Sequence, residues 1–163
     1  MTRLQQAKAL ALLVPAALLA GAYGSQYFGG LVPCEMCWWQ RYAHFVALAF
    51  ASLAFGLARL PDRGRSFVWL AALAILASGM IGFYHAGVEM KVFAGFTQCT
   101  STVRAASTDD LMRQIMDAPF VRCDEIQWSF LGVSMAGWNF ILSTVSALAI
   151  LWLSLKRPRP LAA

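Results

Sequence analysis

Two cysteines separated by two residues, Cys34 and Cys37, are the side chains in this sequence best suited to chemistry. A Cys-x-x-Cys spacing permits a small, readily exchanged disulfide, and it commonly lowers the pKa of one thiol. Cys37 is expected near the N-terminus of a helix, where the helix dipole favours a thiolate. Arg41 follows one turn later on the same predicted helical face, and its positive charge would stabilise that anion further. The pattern therefore predicts thiol–disulfide exchange.

The other two cysteines, Cys99 and Cys123, are separated by 23 residues. Structural zinc sites usually combine two short Cys-x-x-Cys pairs, so this spacing argues against a bound metal, and we expect none. Two inert structural disulfides remain open as an alternative to redox-active ones.

His85 and Arg41 are predicted at similar depths on one rim of a helix bundle. Beside a thiol pair, they would form a polar lining for a redox ligand. Each also has a simpler interpretation, because a basic residue at a helix end can extend to lipid headgroups and an interfacial histidine often has no role.

These residues adjoin long apolar segments. Of the 163 residues, 60% are hydrophobic and 13% are charged, whereas soluble domains contain about 45–50% apolar and about 25% charged residues. The sequence therefore predicts one all-α membrane domain over residues 1–163, a four-transmembrane-helix bundle. Its helices are expected at about 9–28, 38–58, 67–86 and 131–155, with external loops at 29–37 and 87–130. A short amphipathic helix is expected in the second loop, beginning near Ser107.

The first apolar segment could be a secretory signal peptide, but it is longer than the apolar core of a signal, so we expect a retained helix. The segments before the first span, between the second and third spans and after the last span contain eight basic residues and one acidic residue. The positive-inside rule therefore places both termini in the cytoplasm and all four cysteines outside. The basic residues that give the net charge of +5 lie beside apolar segments, which favours contact with membrane lipid and not with nucleic acid.

Several blocks of the sequence resemble the DsbB family, bacterial inner-membrane oxidases that recharge the periplasmic thiol oxidase DsbA. The resemblance covers essentially the whole chain, and the blocks occur in the family's order. They are residues 33–41, 84–89 and 123–132, followed by Met135 and Trp138. The main departures lie between Lys91 and Val121.

The resemblance implies specific roles. Cys34 and Cys37 match the first-loop redox pair, with Cys37 facing a quinone, either ubiquinone or menaquinone. Cys99 and Cys123 match the second-loop pair, with Cys99 forming a mixed disulfide with a DsbA-like partner and a transient Cys34–Cys123 bond as one route between the pairs. Arg41 and His85 match positions near the bound quinone, and the cysteine loops are implied to be periplasmic.

Two other functions remain as alternatives. One is a quinone-linked thiol oxidoreductase of the vitamin K epoxide reductase type, which also has four helices. The other is a non-catalytic four-helix scaffold whose disulfides only tie its external loops. A copurifying quinone and exchange-competent disulfides would distinguish an enzyme from a scaffold.

The charge distribution predicts which side of the membrane the cysteines face. After reduction, a membrane-impermeant thiol reagent should label all four cysteines in cells whose outer membrane is permeabilised and whose inner membrane is intact. Mass spectrometry of the labelled peptides measures this. Labelling of either pair only after lysis of the inner membrane would contradict the predicted orientation.

Overall fold

The computed structural model describes residues 2–59, 61–95, 107–117 and 121–155. The described part of the chain contains four long helices, one short helix and a two-stranded hairpin. In chain order these are α1 (Arg3–Tyr27), α2 (Glu35–Gly56), α3 (Arg65–Glu89), α4 (Thr108–Asp117), β1 (Ser129–Phe130), β2 (Val133–Ser134) and α5 (Met135–Leu155).

The long helices are those of a membrane protein. Among the described residues, α1, α3 and α5 are long and apolar enough to cross a membrane. Helix α2 has a comparable length of 22 residues, and its N-terminal half contains Arg41 and His44. That α2 also crosses the membrane, as the fourth span, stays a prediction.

Side-chain caps make two helices begin earlier than the apolar runs suggest. The Thr2 hydroxyl accepts from the Gln5 backbone N–H, and the Gln5 side chain accepts from the Thr2 backbone N–H, so α1 begins at Arg3 and not near residue 9. The Cys34 sulfur accepts from the Cys37 backbone N–H at 3.4 Å, and α2 begins directly after it. Cys37 therefore lies inside the first turn of α2, although the sequence placed it in a loop over residues 29–37.

The boundaries around the second loop also differ from those expected. Helix α3 continues to Glu89, three residues beyond the predicted end. Strands β1 and β2 pair antiparallel through a turn in which Leu131 and Gly132 both have positive φ, as a tight hairpin requires. The hairpin occupies the start of the predicted fourth span, so α5 begins at Met135. It was not predicted, because a leucine at positive φ is unusual and carries no turn signal.

The short helix α4 covers the segment in which a short helix was predicted. Met112 and Met116, both on α4, are well exposed.

Helix α3 lies between α2 and α5 and packs closely on both. The core is rich in small side chains, which let helix backbones approach one another in a membrane bundle. The completely buried members of this alanine-rich layer are Ala7, Ala11, Ala47, Ala51, Ala54, Val68, Ala71, Ala72, Ile75, Ala147 and Ile150.

At the end where α1 begins, the buried Lys8 ammonium donates to the Ala54 carbonyl at 2.6 Å, which satisfies an acceptor near the C-terminus of α2.

The contact between α3 and α5 depends on glycine at position 82. A Cβ there would lie 2.9 Å from the Ala136 carbonyl oxygen and 3.1 Å from the Phe140 backbone nitrogen. Gly82→Ala should therefore push the two helices apart and destabilise the protein by about 1–3 kcal/mol, the usual cost of overpacking. Denaturant titration in detergent, followed by circular dichroism, measures this.

Gly24→Ala is the matched control, because nothing lies within 4 Å of a Cβ at that position of α1. It should leave stability unchanged or raise it slightly through better helix propensity. Equal effects of the two substitutions would contradict close packing at Gly82.

Candidate functional site

Three of the four cysteines meet at one end of the bundle. Cys34 caps α2 and Cys37 lies in its first turn, while Cys123 comes from the segment that precedes the hairpin. The two sulfur atoms of Cys34 and Cys37 are 3.1 Å apart, and the Cys34 thiol is hydrogen-bonded to Cys123. Cys34 and Cys37 are free thiols. Cys99, the fourth predicted site cysteine, lies outside the described residues.

His85, near the C-terminal end of α3, contacts the same sulfur atoms. Its Nε2 atom is 3.6 Å from Cys34 Sγ, and it also forms a hydrogen bond with Cys37. The ring is 3% exposed. The structure therefore brings the predicted residue His85 into direct contact with the Cys-x-x-Cys pair.

The two thiols of the pair differ in environment. The pKa of Cys34 is raised, first by its hydrogen bond to Cys123, then by its bond to Cys37 and by burial. Cys34 therefore retains its proton. Cys37 lies in the first turn of α2, where backbone N–H groups and the helix dipole favour negative charge. This difference makes Cys37 the sulfur suited to carry a thiolate.

Arg41 lies one turn further along α2 and turns its guanidinium towards α1. It donates to Gln26 Oε1 at 2.6 Å and to the Ala22 carbonyl at 3.0 Å. It also lies over the rings of Tyr23 and Trp38, at 4.6 and 4.9 Å from their centroids. Its hydrogen bonds therefore join α2 to α1, and they fix a buried positive charge in the wall of a cavity.

This cavity has a volume of about 510 Å³. Its polar wall contains the side chains of Cys34, Cys37, Arg41 and His85, and its apolar wall follows α1 into the membrane region. The α1 residues that line it are Ala17, Leu18, Leu19, Gly21, Ala22 and Ser25. A flat polar ring with an apolar tail would match this division between a polar end and an apolar wall.

Sequence reasoning gave no role to several polar residues at the site. Gln40 lies between His85 and Asn139, with its Nε2 atom 3.0 Å from His85 Nδ1. Glu89 is the last residue of α3, and its Oε1 atom lies 3.8 Å from His85 Nε2. One available signal was the lone amide of Asn139 within an apolar run, since polar residues in membrane helices commonly mark a site.

The Cys123 segment is held in place by charged contacts of its neighbour Asp124. Lys91 and Arg122 both donate to the Asp124 carboxylate, and these bonds hold its pKa well below the usual value. Lys91 also donates to the Asp124 carbonyl at 2.8 Å. Cys123 is therefore tied to the residues that directly follow α3.

The same cluster includes ligand atoms that a metal ion could use. The sulfur atoms of Cys34 and Cys37 and a ring nitrogen of His85 lie within 4.8 Å of one another. Distances of this size suit either a soft metal ion or thiol exchange. Which nitrogen of the His85 ring carries the proton distinguishes metal binding from thiol exchange.

The contact between Cys34 and Cys123 predicts a disulfide between them. In a Cys37→Ser/Cys99→Ser double variant, mild oxidation should form an intramolecular Cys34–Cys123 bond, which peptide mapping without reduction would detect.

Adding Asp124→Asn should slow the formation of this bond several-fold, because the contacts of Asp124 with both of its basic partners are weakened. Glu125→Gln is the matched control, since Glu125 is more exposed and, among the described residues, forms its ion pair with Arg122, at 3.3 Å. Formation of intermolecular dimers alone would contradict the observed contact.

Comparison with known proteins agrees with this arrangement of thiols and membrane helices. The family model described as "Disulfide bond formation protein DsbB" matches residues 5–153. A disulfide bond formation protein B from Paracidovorax citrulli is 33% identical over 166 aligned residues, which cover 94% of this chain and 89% of that protein. A protein of the same name from Aromatoleum aromaticum is 31% identical, with 88% of this chain and 89% of that protein covered. No solved structure matches. The chain belongs to the DsbB family of disulfide bond formation proteins.

Proposed function

We propose that this chain oxidises the dithiol of a periplasmic DsbA-like protein and transfers the electrons to a membrane quinone. One observation carries the proposal: the clustered thiols of Cys34 and Cys37 line the same cavity as a buried arginine and an apolar stretch of α1. Electrons from the thiol pair then need no carrier between the sulfur atoms and a ligand in the cavity. The family match supports this enzyme class over the vitamin K epoxide reductase type.

The cavity fits a quinone in its donor set and in its shape. Arg41 would hold a polar ring oxygen, His85 would border the ring at the same polar end, and Ala17 to Leu19 would contact an apolar tail. A bound quinone would supply a two-electron acceptor that leaves through the lipid as the quinol. The contribution of Arg41 is a fixed positive charge in a site from which water is largely excluded.

Energetics explain why the reaction needs such an acceptor. A DsbA-type dithiol has a potential near −120 mV, whereas ordinary redox dithiols lie at about −180 to −270 mV. Oxidation of a DsbA-type dithiol by an ordinary protein disulfide would therefore be uphill by about 60–150 mV, or about 3–7 kcal/mol. Removal of the electrons into a membrane carrier of higher potential drives the exchange forward.

The cysteines perform the exchange in sequence. A partner thiolate attacks Cys99 of the Cys99–Cys123 disulfide, and the second partner thiol then displaces Cys99, which leaves the partner oxidised and both loop cysteines reduced. Cys123 next attacks Cys34 of the Cys34–Cys37 disulfide, which releases the Cys37 thiolate into the cavity. Attack by Cys99 on Cys123 restores the loop disulfide, and the electron pair remains on Cys34 and Cys37. The contact of Cys34 with Cys123 supports this route.

The proposed orientation places the cysteine end of the bundle in the periplasm and both termini in the cytoplasm of a bacterial inner membrane. The cysteine end combines the C-termini of α1 and α3 with the N-termini of α2 and α5. The opposite end contains Lys8 and the basic α2–α3 connection, which includes Arg59, Arg63 and Arg65. This distribution agrees with the positive-inside rule, and it requires α2 to be the fourth span.

Steady-state kinetics of Arg41 variants test the proposal. In purified protein supplied with a reduced DsbA-like partner and a soluble quinone, Arg41→Gln should raise the quinone KM or lower kcat by about tenfold, because the fixed charge in the cavity wall is lost. Arg41→Lys should recover part of the activity, since it retains the charge without the planar fork. The loss of partner thiols and of quinone absorbance measures both half-reactions, and Cys37→Ser should abolish quinone reduction.

Gln26→Met is the control for a purely structural role of Arg41. It removes the 2.6 Å hydrogen bond to α1 and leaves the charge in place. If Arg41 acted only as a tie between helices, Gln26→Met would reproduce the kinetic defect of Arg41→Gln. Normal quinone kinetics in well-folded Arg41→Gln would contradict the proposed role in the cavity.

A further inference from the structure

A row of hydrogen-bonded side chains lies behind His85 on the side away from the thiols. Gln40 on α2 places its Nε2 atom 3.0 Å from His85 Nδ1 and 3.1 Å from the Met36 carbonyl oxygen. Its Oε1 atom is 2.7 Å from Asn139 Nδ2 on α5. The row therefore connects three helices and ends at the imidazole that contacts the site sulfur atoms.

Two backbone carbonyls determine which way both amides face. A carbonyl oxygen can only accept a hydrogen bond, so the Gln40 atom beside the Met36 carbonyl must be the nitrogen. Asn139 Nδ2 likewise lies 3.1 Å from the Ser78 carbonyl, which makes it a donor to Gln40 Oε1. Rotating either amide by 180° would set two acceptors against each other at a buried position, at the cost of an unmade hydrogen bond.

This orientation determines where the proton of the neutral His85 ring lies. Because Gln40 presents an N–H group to Nδ1, Nδ1 must be the unprotonated, accepting nitrogen. The proton is then on Nε2, which faces Cys34 Sγ at 3.6 Å and Glu89 Oε1 at 3.8 Å. His85 also forms a hydrogen bond with the second sulfur of the pair, that of Cys37.

We propose that Gln40 and Asn139 are positioning residues that hold His85 as the Nε2–H tautomer, so that His85 donates a hydrogen bond to the sulfur atoms of the Cys-x-x-Cys pair. The hydrogen bonds of the two amides go to the imidazole, to each other and to backbone and hydroxyl groups, so both act on the sulfurs through the imidazole. The consequence for thiol oxidation rests on the proposed function, whereas the tautomer itself does not.

The same arrangement decides whether the cluster of Cys34, Cys37 and His85 is suited to metal binding or to thiol exchange. A metal ion bound at Nε2 requires a lone pair on that atom and a proton on Nδ1. The Gln40 N–H opposes a proton on Nδ1, so the ring is arranged to donate to sulfur and not to ligate a metal through Nε2.

Nitrogen-15 NMR of the reduced wild-type protein tests the tautomer directly. The chain contains two histidines, and each ring should be Nε2–H in its neutral form. For His44 the reason is that its Nε2 lies 2.9 Å from Asn139 Oδ1, which can only accept. The spectrum of histidine-labelled protein in detergent should therefore show no neutral Nδ1–H ring. An Nδ1–H signal would overturn the inference without the need for any variant.

Gln40→Met provides the second arm, because it keeps the length of the side chain and removes its N–H donor. One ring signal should move towards the Nδ1–H tautomer. Alkylation of Cys37, mapped by mass spectrometry at fixed pH, should slow by about tenfold, the effect of losing one hydrogen bond to a charged atom. An unchanged spectrum or an unchanged alkylation rate in folded Gln40→Met would overturn the proposal.

Ser143→Ala is the matched control. Ser143 is buried in the same network and donates to Asn139 Oδ1 at 3.0 Å, on the side away from Gln40. Its loss should leave the His85 tautomer and the Cys37 alkylation rate within about twofold of the wild type. Equal defects in Ser143→Ala and Gln40→Met would show a general loss of packing and overturn the positioning role. Absence of quinone reduction by the wild type would instead overturn the proposed function. The NMR spectrum and the Cys37 alkylation rate would still test the tautomer of His85 in that case.

Discussion

Polar side chains between membrane helices must find their hydrogen-bond partners within the protein, because lipid tails offer none. In this bundle the constraint falls on the region where α2, α3 and α5 meet. The single side chain of Asn139 forms hydrogen bonds with four others, those of Gln40, Ser78, His44 and Ser143. These bonds limit how far each helix can rotate or slide relative to the others. The positions of the reactive residues depend on this shared network as much as on apolar packing.

The start of α2 adds a second, local constraint. Cys34 serves as the cap of the helix, so its sulfur is directed back over the first turn, towards the Cys37 backbone N–H. The cap thus sets the short distance between the two sulfurs, and the two thiols experience different environments on either side of the same helix end. Cys123 reaches this point from a distant part of the sequence because Asp124 is bound by Lys91 and Arg122.

Local patterns in the sequence were enough to predict the Cys-x-x-Cys pair at a helix start, the apolar helices and the basic end of the bundle. The contact of Gln40 with Asn139 could not be predicted, because it joins residues 99 positions apart and depends on the rotation of two helices about their axes. The direction of Arg41 also escaped prediction. Helical spacing put it on the face of Cys37, but Gln26 and the Tyr23 ring, both on α1, draw the guanidinium towards that helix. The hairpin before α5 was not predicted either, because its turn needs a positive φ at Leu131, and leucine rarely adopts one.

The alanine-rich layer has a consequence for charge movement across the membrane. It begins one turn below His44 and extends to Ala54 on α2, a distance of about 10 Å along the helix at 1.5 Å per residue. Its members are apolar, and within the described residues Lys8 closes its far end against the Ala54 carbonyl. Among the described residues, this layer separates the Lys8 end of the bundle from the cavity by completely buried apolar side chains, which offer protons no hydrogen-bonding groups. Under the proposed function, protons released by the thiols and protons taken up by a quinone in the cavity would belong to the same side of the membrane, and turnover would transfer no net charge across it.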